Sequence, residues 1–176
     1  MNNNKGFTLL ELLIYIAVIA LIITAVSAML LWGVRSRAKA KVMDEVTRQA
    51  DSAMTIMLRE IREAGSVYAP TSILGSHPGQ LSLQTAKYVP PGEILGYIDF
   101  FLCGTRLCLK KEAQDPVALT SENVVVDNLV FSSVGGSANP SAVRVVISLR
   151  YNSPAQQPAY RASVNLQSGA SIRAQK

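Results

Sequence analysis

KGFTLLELLIYIAVIALIITAVSAMLLWGV, Lys5 to Val34, sets a single carboxylate, Glu11, at the head of an otherwise unbroken apolar run. The 23 residues from Leu12 to Val34 contain no charge and no proline. As a helix rising 1.5 Å per residue they span about 35 Å, enough for a hydrocarbon core of about 30 Å. An acid in such a segment costs about 2.5 to 3.5 kcal/mol at the helix centre and less towards an end, so its partner has to be sought. An amine is the obvious one. The plain alternative is an uncleaved signal anchor whose Glu11 lies among headgroups and does nothing.

The neighbours of Glu11 sharpen the choice. Met1 to Gly6 (MNNNKG) is short and polar, carries Lys5 and ends in Gly, which offers no side chain to obstruct a protease. A secretory signal would place a small-residue cleavage site after the apolar run, and nothing of that kind follows Trp32. Gly6, Phe7 and Glu11 in this arrangement resemble the processing signal of the type IV prepilins and type II secretion pseudopilins: a short basic leader ending in Gly, cut before an aromatic, with Glu fifth in the mature chain. The resemblance implies that a prepilin peptidase cuts between Gly6 and Phe7 on the cytoplasmic side and N-methylates Phe7. Glu11 would then neutralise the new amine of Phe7 in an adjacent subunit. A paired charge costs less in hydrocarbon than a lone one, and it fixes register between packed helices.

Charge adds a conflict. The formal net charge is +5, from 17 basic and 12 acidic residues, and much of the excess is local: Arg35, Arg37, Lys39 and Lys41 follow the apolar run directly. Such a cluster reads first as a membrane-surface anchor, worth about 1 kcal/mol per residue near an anionic leaflet, and second as a nucleic-acid contact. The positive-inside rule would hold these residues in the cytoplasm, against the orientation that prepilin processing requires. The processing motif is the rarer pattern and takes precedence.

Beyond the membrane the helical period continues. Val42, Val46, Ala50, Ala53, Met57, Ile61 and Ala64 recur at spacings of three and four and form one apolar stripe, while Asp44, Arg48, Asp51, Arg59, Arg62 and Glu63 take other faces. Gly65 is a C-cap candidate, with Pro70 shortly after. A continuous helix from Phe7 to Ala64 would be about 87 Å long, more than the remaining chain can cover. After Pro70 short apolar runs alternate with turns. The expected strands are Leu81 to Ala86, Ile94 to Cys103, Leu107 to Lys111, Val124 to Val134, Val143 to Tyr151 and Tyr160 to Leu166. Short links imply antiparallel neighbours.

The two cysteines, Cys103 and Cys108, lie in FFLCGTRLCLKK. A four-residue loop, Gly104 to Leu107, would set them opposite one another for a disulfide, whereas a two-residue loop would offset them diagonally. An exported domain meets an oxidising compartment, which favours the disulfide over two reduced core thiols. A metal site is disfavoured, because His77, the sole histidine, sits in a Ser-His-Pro-Gly turn with no second cysteine pair in the chain. His77 reads as an exposed loop residue.

REIREAG (Arg59 to Gly65), GYIDFFLCGTRLCLKK, NVVVDNLVFS and SVNLQSG look like the minor pilins and pseudopilins of the J and W kinds. No proline interrupts the apolar helix, which favours a pseudopilin or minor pilin, and the presence of Glu11 argues against the K-type tip subunit. No nucleophile motif, GxGxxG or phosphate loop supports an enzyme, and Glu93, Asp99, Asp115, Glu122 and Asp127 are dispersed. No cofactor is expected.

The resulting expectation is an α+β protein in four parts: a leader at 1–6, a transmembrane and assembly helix at 7–34, its amphipathic continuation at 35–65, and an antiparallel β-rich domain at 66–176. It would be a minor pseudopilin or minor pilin, anchored by a single pass in the bacterial cytoplasmic membrane with its C-terminal domain outside, then built into the initiation or tip complex of a pseudopilus or pilus. Its implied partners are prepilin peptidase, other pilins or pseudopilins, the inner-membrane assembly platform and lipid. The alternatives are a DNA-capturing minor pilin and an uncleaved membrane-anchored protein.

Overall fold

The computed structural model describes residues 8–135, 140–153 and 160–173. One helix, α1 (Leu9–Glu63), runs for 55 residues, about 83 Å. All seven residues of the apolar stripe are buried, joined by Met54 and Glu60. The helix ends differently from the C-cap expected at Gly65. Ala64 leaves it in an extended conformation (φ −72°, ψ 150°), and Gly65 N–H donates to Gln84 O at 2.9 Å. Strand pairing, rather than a left-handed glycine, takes the chain out of the helix.

Among the described residues eight strands follow, in two antiparallel sheets. The first holds β1 (Ser66–Val67), β2 (Leu81–Thr85), β3 (Gly96–Cys103), β4 (Arg106–Lys111) and β5 (Val117–Ala118), in that order. The second holds β6 (Val124–Val134), β7 (Ala142–Tyr151) and β8 (Ser163–Ser171). β1 and β5 have two residues each and leave no periodic trace in the sequence. β8 begins three residues later than the expected Tyr160 start and runs past Leu166, because its register with β7 holds through Ala142↔Ser171. The apolar signal stops at Leu166, but Ala170 still faces inward.

The helix and both sheets share one core. Phe100, Ile98, Leu81 and Leu83 from the first sheet and Phe131, Leu129, Ile147 and Leu149 from the second close around the buried face of α1. Each such side chain contributes about 1.5 to 3 kcal/mol on burial. A register shift between Val126 and Asn128 frees Asp127 from the β6–β7 ladder, and its carboxylate accepts from Arg150 Nε at 2.7 Å. The sheets meet along β6. Val126 N–H donates to Thr105 O at the tip of the β3–β4 hairpin, 2.8 Å away.

β8 rises alongside α1 in the same sense. Gln49 Oε1 accepts from Ser121 N–H at 3.3 Å, near the start of β6, and Asn152 N–H bonds Asn123 O there. At the far end Arg173 shares a recess with Arg59, Arg62 and Glu63.

Candidate functional site: the exposed half of the long helix

From Thr8 to Val34 every residue of the chain is exposed except half-buried Gly33. Apolar side chains such as Leu12, Ile16, Ile23 and Trp32 point outward all round the helix, with hydropathy and length sufficient to cross a membrane. A helix hydrophobic on every face is stable only in lipid or among other helices. Inside that surface, the Thr24 hydroxyl donates back to Ala20 O and Leu21 O, each at 2.9 Å, so it presents no unmet donor to hydrocarbon.

Thr8 caps this helix. Its hydroxyl and its carbonyl both accept from Glu11 N–H, at 3.3 and 3.1 Å. Glu11 therefore sits at N3, in the Thr-x-x-Glu spacing of a capping box. The spacing TLLE was readable in the sequence and gives Glu11 a local role that the processing motif alone obscures: a carboxylate in the first turn also meets the positive end of the helix dipole. Among the described residues no cation pairs with its side chain. Gly6 and Phe7, the expected cleavage and methylation positions, lie outside the described residues.

Arg35, Arg37, Lys39 and Lys41 are all exposed, and none forms an ion pair among the described residues. They occupy the stretch between the apolar segment and Val42, the first buried residue of α1.

The remaining sequence candidates fall in the globular part. Cys103 and Cys108 are joined as a disulfide, with Cα atoms 5.9 Å apart. The loop, however, has two residues instead of four. Cys103 pairs with Arg106, and Cys108 faces Phe101, so the cysteines are diagonal neighbours. Gly104, at φ 69°, supplies the positive φ that the first central position of a two-residue II′ turn favours. The twist of a two-stranded ribbon brings one diagonal within bridging range, which is why the diagonal offset does not exclude the bond.

His77 is exposed, as expected, but it is tied to the fold: its Nδ1 accepts from Leu129 N–H at 3.0 Å. Gly75 N–H and Gly79 N–H donate to Phe131 O and Leu129 O on either side of it. Of the dispersed acids, Asp127 pairs with Arg150 and Glu122 with Arg106, at 2.7 and 3.6 Å. No group of three or more metal-ligating side chains occurs among the described residues.

The geometry thus concentrates unmet surface in one place, an apolar rod with an acid at its capped end. Residues 1–27 match the family model of the prokaryotic N-terminal methylation motif. No curated protein and no solved structure matches the chain. The match covers the leader, the junction at Gly6 and Phe7, and Glu11, and it sits on a long apolar helix packed against antiparallel sheets. The chain carries the N-terminal methylation motif typical of the type IV prepilin and pseudopilin family.

Proposed function

We propose that the chain is a minor subunit of a type II secretion pseudopilus or type IV pilus, cut by prepilin peptidase between Gly6 and Phe7 and assembled through the exposed half of α1. The observation that carries this reading is the pairing of a methylation motif with a helix whose N-terminal half finds no cover among the described residues. Glu11 gives that half its one charge. In a bundle of parallel helices it accepts the methylated amine of Phe7 from a neighbour, which offsets the cost of carrying an acid into an apolar bundle. The C-terminal domain lies outside the cytoplasmic membrane, where a Cys103–Cys108 bond persists.

Intact mass of the protein taken from its membranes tests the processing step. The expected species begins at Phe7 with one added methyl group; a species beginning at Met1 sinks the proposal. In the same preparation Glu11→Ala should insert as well as wild type and fail to enter crosslinked complexes. Equal entry by both proteins removes Glu11 from the assembly contact.

A further inference from the structure

The sheet edges of this protein are managed unequally. β1 and β5 end the first sheet with two residues each. The outer edge of β6 is covered: Thr105 O, Gly75 N–H, Gly79 N–H and the His77 ring bond its main chain from Val126 to Phe131. β8 is the exception. It pairs with β7 over nine consecutive residues without a bulge, and among the described residues nothing bonds its other side.

The polarity of that edge follows from two bonds. Ile172 N–H donates to Ser141 O, and Tyr151 N–H donates to Ala162 O. Both lie in the same regular register, so the even-numbered residues of β8 direct their main chain to β7. Ser163, Asn165, Gln167, Gly169 and Ser171 therefore direct their N–H and C=O groups outward. All five are exposed, small or polar, and uncharged. Natural edges of this length are blunted by lysine, proline or a bulge. β8 has none, and the nearest cations, Arg161 and Arg173, stand just beyond its ends.

We infer that the outer edge of β8 receives an extended strand from a different pilin-type subunit, adding it to the β6–β7–β8 sheet by main-chain hydrogen bonds. This rests on the assembly role proposed above. A second copy of this chain is excluded as the occupant by the geometry of α1. Antiparallel β8–β8 pairing turns the two long helices in opposite directions, which two subunits anchored in one membrane cannot adopt. Parallel β8–β8 pairing puts the helices on opposite faces of the joined sheet, about 20 Å apart at roughly 10 Å from sheet to helix on each side, beyond the 8 to 10 Å at which helices pack. Among the described residues every other sheet edge of a second copy is two residues long or covered. The occupant must bring its own free strand. A neutral edge that reads only main chain accepts it without a matching side-chain pattern.

The test uses the full chain matured in its own membranes. A photoreactive phenylalanine analogue is placed in turn at Asn165, Gln167 and Gly169, and the crosslinked peptides are sequenced. Strand addition expects one pilin-type partner whose crosslinked residue moves by two for each two-residue step along β8. Amide exchange at 165, 167 and 169 should slow at least tenfold in the crosslinked complex relative to the isolated chain in detergent. Gln167→Lys, which keeps every bond to β7, should leave the melting temperature unchanged and lower the crosslink yield at least tenfold. Scattered crosslinks, crosslinks to lipid or to a second copy, or unchanged yield with Gln167→Lys overturn the inference. If the N-terminus is cut at Phe7 and Glu11-dependent complexes form while the two-residue ladder is missing, the strand inference alone fails. An uncut N-terminus with no pilin-type partner removes the assembly reading and this inference together.

Discussion

The two halves of α1 share one backbone and almost nothing else. From Val42 to Ile61 every third or fourth residue is buried against the sheets, and polar and charged residues take most of the remaining positions. From Leu9 to Val34 apolar residues face outward on all sides. The first pattern is an amphipathic helix stabilised by its own chain; the second needs a solvent or neighbours of its own kind. An unbroken helix therefore reports nothing about where its stability originates.

Substitution should separate the halves. In the full chain held in detergent, Met57→Ala opens a cavity in the shared core and should cost about 2 to 5 kcal/mol in denaturant unfolding of the β domain. Leu21→Ala, on the exposed half, should leave that transition where it is. Equal losses would falsify the division of α1 into self-supported and externally supported parts.

The disulfide comes next. Closing so short a loop removes little unfolded-state entropy, so Cys103→Ala should cost about 2 kcal/mol in the chain-entropy model and leave the protein folded. Alkylation before reduction checks the bond itself: protein from cells should take up no label until reductant is added.

His77→Ala should have a smaller effect. It strips Leu129 N–H of its acceptor, but the ring is exposed and water can replace it, so about 1 kcal/mol is expected. Amide exchange localises the change, with Leu129 losing protection while Met57 and its helical neighbours keep theirs. Loss of protection throughout α1 would make the loop part of the global core.

The smallest effect belongs to the exposed ion pair at the end of the buried half. Lys87 Nζ donates to Glu63 Oε2 at 2.6 Å. That hydrogen bond holds the Glu63 carboxyl below its ordinary pKa and raises the Lys87 ammonium above its own. The Glu63 contribution is therefore present above the unfolded carboxyl pKa and disappears as pH falls through the lowered folded value. The Lys87 contribution is present below the unfolded amine pKa and disappears as pH rises through the raised folded value. Melting curves of wild type and Lys87→Met should differ slightly near neutrality and converge in acid. A difference that grows in acid contradicts the pairing.

The sequence carried the fold wherever a period ran long enough to declare a face. The seven stripe residues from Val42 to Ala64 are all buried, and β6 has the expected bounds, Val124 to Val134. It was silent where partners far along the chain decide. Gly65 looked like a helix cap because its neighbours are helical; its actual partner is Gln84. β8 looked short because Gln167, Ser168 and Gly169 carry no apolar signal, although β7 keeps them in register. The cysteines look opposable only if the loop is four residues long, and the turn preference of Gly104 selected two. In the candidate site, the N-terminal motif marked Glu11 without any fold, whereas its position at N3 behind Thr8 needed the helix start to be seen.

Under the assembly role proposed above, the collar of cations at Arg35, Arg37, Lys39 and Lys41 makes travel along the helix axis one-way. At roughly 100° per residue, Arg35 and Lys39 lie on one side of α1 and Arg37 and Lys41 on the other, so no single neighbouring helix can shelter all four. Dragging each through the middle of a bilayer costs about 2.5 to 3.5 kcal/mol, and together about 10 to 14 kcal/mol if they act independently. The apolar segment on one side of the collar can slide out of lipid into a bundle of similar helices with little change of environment. The collar cannot follow in the opposite direction. In that proposed assembly, a subunit pulled by its helix leaves the membrane on the side of its globular domain against only the cost of Glu11, and four cations stop it from sinking through.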